Sequence, residues 1–267
     1  MILSYPSSKQ TITLLLRLLL WILILSIPYV IIEFTNTELS GNITFKIIYL
    51  SMVSLLANII IINYAIKRIK KQEPFKLLDE LKNIPLAFLP LAIMGTLALA
   101  FLVDPIEQII PISEIYQEYF TELLSLKVYS FIVVVLVGPI LEEILFRGII
   151  LKSFLKNDSA LKAILLSSLF FAIIHLNLIQ FTTAFIGGAF FGYLYWQTKS
   201  LSICIIAHII HNVIFFLAFH FLNADFNIES AISNTAIYLT LYFIAAITLA
   251  SCILIIYKKN ISTSYSC

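Results

Sequence analysis

Apolar runs long enough to cross a bilayer recur from one end of this chain to the other, and charge is confined to the short stretches between them. Inside a membrane the backbone has no water to bond with, so each run must satisfy its own N–H and C=O groups, which a helix does. With 61% hydrophobic and 12% charged residues in a chain of 267, the composition is too apolar for a soluble globular domain. The expected fold is therefore all-α, a polytopic transmembrane helix bundle of about eight spans. The runs fall at roughly 11–32, 45–66, 85–103, 128–151, 161–180, 181–197, 200–222 and 235–257. The third is interrupted by Pro85 and Pro90. The division between the fifth and sixth rests on a short polar turn at Gln180, Thr182 and Thr183.

The loops carry an orienting signal. Lys67, Arg68, Lys70, Lys71, Lys76 and Lys82 follow the second run. Lys152, Lys156 and Lys162 lie between the fourth and fifth, Lys199 between the sixth and seventh, and Lys258 and Lys259 after the eighth. The alternate loops carry Glu38, then Asp104, Glu107, Glu114, Glu118 and Glu122, then Asp225 and Glu229. Lys46 and Lys127 are the exceptions, at outer span edges. By the positive-inside rule both termini are expected in the cytoplasm, and an even number of spans keeps the alternation. Within 104–126, apolar residues including Ile115, Tyr116, Tyr119, Phe120 and Leu123 recur at helical spacing, with Glu114, Glu118 and Glu122 on another face. This reads as an amphipathic helix on the outer surface.

Several classes are excluded or disfavoured. A net charge of +2 without a basic cluster beyond short loops speaks against a nucleic-acid partner. Cys204 and Cys252 lie in apolar runs and Cys267 is terminal, so neither a disulfide framework nor a cysteine metal site is implied. The run Thr11–Ile32 is too long for a signal-peptide core and lacks an A-x-A site, so it is expected to stay as the first span. Gly188 and Gly192 form a small-xxx-small pattern that suits close helix packing within the protomer.

Against this apolar background, Leu141-Glu142-Glu143-Ile144-Leu145-Phe146-Arg147-Gly148 stands out. Ionisable groups at membrane depth are costly and tend to be functional. Glu143 and Arg147 are four apart, share a helix face and are expected to pair. Glu142 points about 100° away and is left to face a cavity. Only three of the 17 basic residues are arginines, and an arginine here suits bidentate pairing with a carboxylate. His175 follows Phe171 by four, so the phenyl ring can pack beside the imidazole. Asn212 follows His208 by four, on one face. His211 reads as a packing residue and His220 as interfacial. Counted from the basic helix ends at ~1.5 Å per residue, Glu142, His175 and His208 lie about 15, 20 and 14 Å deep.

A desolvated carboxylate can act as general base and then acid, and a histidine beside it can orient the same water. A second histidine and an asparagine amide can donate to a developing oxyanion. No serine or cysteine stands next to a base. The alternative is a divalent metal such as zinc held by Glu142, His175 and His208 with an open position for water. No HExxH helix is present, and the residues require no cofactor.

Glu142-Glu143-x-x-x-Arg147, Phe171-x-x-x-His175 and His208-x-x-x-Asn212 resemble, in order, the three motifs of the CPBP intramembrane endopeptidases. That family includes type II CAAX prenyl endopeptidases and bacterial relatives linked to bacteriocin maturation and self-immunity. The resemblance covers about residues 125–222. It implies peptide-bond hydrolysis at the membrane by a metalloprotease or glutamate-protease mechanism. Glu142 and His175 would activate water, His208 and Asn212 would hold the oxyanion, and Glu143 with Arg147 would complete the site. Three segments follow: 1–124 with spans one to three and the amphipathic segment, 125–222 as the catalytic core, and 223–267 with the last span and tail. Expected partners are membrane lipid and a membrane-associated peptide substrate, with the oligomeric state open. The lysine-rich composition suggests a bacterial plasma membrane. Two other readings use the same residues: a proton-coupled membrane carrier, or a non-enzymatic immunity protein of the same fold.

Overall fold

The computed structural model describes residues 4–35, 37–111, 113–222, 232 and 234–264. The acidic loop residues Asp225 and Glu229, and Cys267, lie outside the described residues. Every regular element among the described residues is helical. Among the described residues, seven helices are long and apolar enough to cross a membrane, and an eighth apolar helix is shorter. The protein is an all-α, polytopic integral membrane protein. The chain forms two compact units, residues 1–75 with 112–158 and residues 76–111 with 159–267. The three segments drawn from the sequence follow motif content, whereas these units follow packing and interleave along the chain.

The first unit contains α1 (Ser8–Thr35), the single turn α2 (Thr37–Ser40) and α3 (Ile43–Ile69). Asn42 starts α3 by accepting a hydrogen bond from the Phe45 N–H at 3.0 Å, the usual way to satisfy an orphan donor at a helix start. α1 and α3 pack together, with Tyr29, Phe45 and Tyr49 clustered at the end where they are joined. Apolar side chains such as Leu16, Leu23 and Ile27 on α1 are exposed, as suits a lipid-facing helix. The stretch between α3 and the motif helix holds the amphipathic helix α6 (Glu114–Ser125), capped by Ser113. It buries Leu123 and Leu124, and its Glu122 accepts from the Thr44 hydroxyl at 3.3 Å. The motif helix α7 runs continuously over Lys127–Asn157.

α7 is not a plain α-helix. Two stretches, Phe131–Val137 and Ile144–Leu151, are π-wound and flank the α-helical turn Gly138–Glu143. Pro139 has no N–H and its ring crowds the carbonyl four residues back, so the ladder widens there. The Gly138 N–H accordingly bonds to the Val133 carbonyl, five residues back, and a Cβ at Gly138 would sit only 3.0 Å from that oxygen.

The second unit begins with α4 (Leu77–Lys82) and α5 (Leu89–Ile109). Pro90 falls in the first turn of α5, where a missing N–H costs nothing. The proline pair therefore starts the third span at Leu89 rather than breaking it. Next come α8 (Ala160–Ile173), α9 (Leu178–Thr198), α10 (Leu201–Leu222) and α11 (Thr235–Ser264). α5 packs against α9, α10 and α11. A Cβ at Gly95 of α5 would lie 2.6 Å from the Phe190 ring, so this close approach needs glycine. The α10 start is tied back by the Ser200 and Ser202 hydroxyls, which donate to the Asn83 and Leu81 carbonyls.

The fifth span differs from its expected form. It ends at Ile173, not near residue 180, and its 14 residues rise about 21 Å, short of a ~30 Å hydrocarbon core. The break falls at residues 174–177, and Gln180, Thr182 and Thr183 are already inside α9. Asn177 decides this: its side chain accepts from the Gln180 N–H at 2.8 Å and so starts the next helix. α8 and α9 form a hairpin, so the chain leaves α9 on the side from which it entered α8.

Candidate active site

The carboxylates lie in the first unit, on α7. Glu142 and Glu143 are the last two residues of the α-helical turn set by Gly138 and Pro139, so they point to different sides of the helix. Glu143 is fully buried and Arg147 is 1% exposed. The Arg147 Nη1 donates to Glu143 Oε1 at 2.8 Å, the ion pair expected from the four-residue spacing. Glu142 is half-buried. Gly148, directly after Arg147, is buried within the second π-wound stretch. The turn thus places one carboxylate against a guanidinium and sends its neighbour in another direction.

The histidines lie in the second unit. His175 is not on a continuous helix, as the span boundaries implied, but in the turn beyond α8. Its Nδ1 still lies 2.8 Å from the Phe171 carbonyl. Since a carbonyl only accepts, Nδ1 is the donor, and the tautomer this selects has its lone pair at Nε2. The turn itself is clamped. Leu176 holds a left-handed backbone at φ 56°, and the Asn177 amide donates to the His175 carbonyl at 3.0 Å and to Gln180 Oε1 at 2.8 Å.

Phe171 serves both imidazoles. Its ring lies edge-on to His175 at 5.0 Å between centroids and to His208 at 5.9 Å. His208, on α10, is buried with Phe191 of α9 on another side at 5.2 Å. Asn212 lies one turn further along α10. His211 packs edge-on to Phe191 at 6.4 Å, and its buried Nδ1 has no hydrogen-bond partner among the described residues. His220 stacks on Phe216 at 4.2 Å near the end of α10. Phe191, Leu176 and Asn177 had no signal in the motif spacing. An N-cap asparagine three residues before Gln180 was the cue for the turn. Among the described residues, no group of three or more His, Cys, Asp or Glu side chains could hold a metal ion.

Residues 124–214 match the family model for type II CAAX prenyl endopeptidase Rce1-like proteins. The chain is 32% identical over 231 residues to the membrane-embedded CAAX protease MroQ of Staphylococcus aureus, covering 79% of this chain and 90% of MroQ. It is 39% identical over 77 residues to YdiL of Bacillus subtilis, whose name places it among membrane peptidases. That match covers 29% of this chain and 32% of YdiL, so this chain spans about a third of YdiL. No solved structure matches the chain. With the three motifs complete and MroQ matched over most of both lengths, the chain belongs to the Rce1-like, CPBP-type family of membrane CAAX peptidases.

Proposed function

We propose that this protein is an intramembrane endopeptidase that hydrolyses a peptide bond in a membrane-associated peptide, with water activated by Glu142 and His175. The observation that carries the reading is the His175 Nδ1 hydrogen bond to the Phe171 carbonyl. It leaves Nε2 as the acceptor, so His175 can orient a water by taking its proton-side hydrogen bond. The Glu142 carboxylate removes that water's proton as the oxygen attacks the peptide carbonyl. His208 and the Asn212 amide donate to the developing oxyanion. Glu142 then passes the proton to the departing amine. Glu143 and Arg147 act structurally, holding the turn that aims Glu142. These proton transfers use side chains alone.

The basic loops belong to the cytoplasm, so both termini face inward, and the bacterial relatives suggest a bacterial plasma membrane. The likeness to MroQ, a membrane-embedded CAAX protease, supports a protease reading.

The test is reconstitution of purified protein with membrane-anchored peptides and detection of new termini by mass spectrometry. Glu142→Gln should keep the fold and slow turnover by at least ~10²-fold, the usual size of a general acid–base contribution. Equal products from wild type and Glu142→Gln would overturn the assignment. Flux driven by a pH gradient and dependent on Glu142, without cleavage of any peptide, would replace it with a carrier.

A further inference from the structure

Of the chain's three arginines, one pairs with Glu143, and the other two meet at a single cavity. Arg17 of α1 and Arg68 of α3 line a space of about 150 Å³ together with Tyr5, Tyr64, Gln10 and Thr13. That is several times the space a single water needs. The Arg17 guanidinium lies 4.5 Å from the Tyr64 ring centroid, and that of Arg68 lies 5.6 Å from the Tyr5 ring. A guanidinium held over a ring is drawn to its face by the cation–π attraction. That attraction uses the charge and leaves the five N–H donors available for an anion.

The lining is mostly polar, with Leu14 as its apolar member and the Thr13 hydroxyl already donating to the Lys9 carbonyl at 3.1 Å. Neither arginine pairs with a carboxylate among the described residues. Glu73, the nearest acidic residue along the chain to Arg68, is held by Lys156. Burial, with a smaller contribution from Tyr64, pushes the Tyr5 phenol up to about 12 against the opposing pull of Arg68 and Arg17. It remains a protonated donor at any physiological pH. Gln10 uses its Oε1 to accept from the Ser7 N–H at 2.9 Å and retains its amide nitrogen as a donor. Two solvent-exposed guanidiniums, each beside a tyrosine ring, a buried phenol and an exposed amide suit an anion with several oxygens, and the arginine fork matches phosphate in particular.

Location selects the source of that phosphate. Arg68 is in the last turn of α3, two residues before Lys70 and Lys71, where a membrane helix meets water. Tyrosines are favoured at that level. Beside Arg17, the α1 side chains Ile12, Leu16 and Leu20 are exposed, ready to lie along acyl chains. We propose that this cavity binds the phosphate of an anionic phospholipid headgroup. Basic pockets between membrane helices at the positively flanked side are suited to such headgroups.

Occupancy has a consequence for α7. The segment carrying Tyr5 is tied to the end of that helix: the Ser4 hydroxyl donates to the Ser153 carbonyl at 3.0 Å, and the Asn157 amide donates to the Ser4 hydroxyl at 2.8 Å. The Tyr5 N–H donates to Gln72 Oε1 at 3.1 Å. A headgroup held by Tyr5, Arg17 and Arg68 therefore binds α1, α3 and the tether of the motif helix together, and stabilises the folded state by mass action.

The test compares full-length protein in phosphatidylcholine nanodiscs with and without phosphatidylglycerol, reading Tm and, by native mass spectrometry, retained lipid. Phosphatidylglycerol should raise Tm. Arg17→Gln and Arg68→Gln should each weaken its retention at least tenfold and abolish the shift, while Lys70→Gln, an exposed charge outside the cavity, should leave both in place. If a glutamine variant does not fold, Arg17→Lys and Arg68→Lys keep the charge but lose the fork, and should still weaken retention. Wild-type retention in the arginine variants would overturn the proposal. So would an equal loss in Lys70→Gln, which would indicate diffuse surface attraction. The same Tm shift from sodium phosphate in detergent would assign the cavity to free phosphate instead of lipid.

Discussion

Glu143 and Arg147 show how spacing becomes energy at the scale of single residues. Four positions on a helix bring the side chains together, and burial makes each one dependent on the other. Removing one partner leaves the other charged group in a dry interior, which costs roughly 3–5 kcal/mol. Arg147→Met is therefore expected to lower Tm and the yield of monodisperse protein in detergent, whereas Glu142→Gln should stay near wild type in both. Equal losses in the two variants would mean that Arg147 does not hold the turn. This pair was readable from the sequence because both residues lie on one helix. The shared role of Phe171 was only half readable. Its packing on His175 follows from local spacing, but its contact with His208 joins two helices distant in the chain.

Two turns between helices in the second unit use left-handed residues that are not glycine. One is Leu176, beside His175, and the other is Lys199, between α9 and α10. Lys199 ends α9 at φ 50°, ψ 29°, with its N–H donating to the Tyr195 carbonyl at 2.8 Å. A side chain is strained in this region, and although Lys199 is exposed, partial desolvation lowers the pKa of its ammonium from the ordinary lysine value. Lys199→Gly should relieve the backbone strain and raise stability by about 1 kcal/mol, seen as a higher Tm, with only a small further gain from the screened, exposed ammonium. The sign of the pH dependence follows. The desolvation cost applies while the ammonium is charged in the folded state, so that part of the gain should be largest near neutral pH. It should fade as pH rises through the lowered pKa toward the ordinary value. A lower Tm for Lys199→Gly at neutral pH would show that the lysine stem contributes more by packing than its backbone costs. At this scale the helices were legible from their apolar runs. The π-wound stretches and the short α8 were not, because hydropathy reports burial and not the pitch of the ladder or the point where an asparagine cap starts a new helix.

For the whole molecule, topology is set by charge more than by helix count. Among the described residues seven helices reach spanning length, yet the α8–α9 hairpin returns the chain to its starting side, so the alternation of basic and acidic loops survives. A green fluorescent protein fused at the C-terminus should fluoresce, and alkaline phosphatase fused at the same point should be inactive, if both termini are cytoplasmic. The opposite pattern would reverse the proposed orientation. The sequence alone determined the class, the motif residues and the Glu143–Arg147 pair, because transfer to lipid, helical periodicity and i,i+4 contact are all local or compositional properties. Only the tertiary structure decided that Phe171 and Phe191 flank His208, that Gly95 admits Phe190, and that Arg17 and Arg68 share one cavity. Each of these depends on which helices become neighbours, and that choice is made by side-chain packing between segments far apart in the chain, which no local spacing encodes.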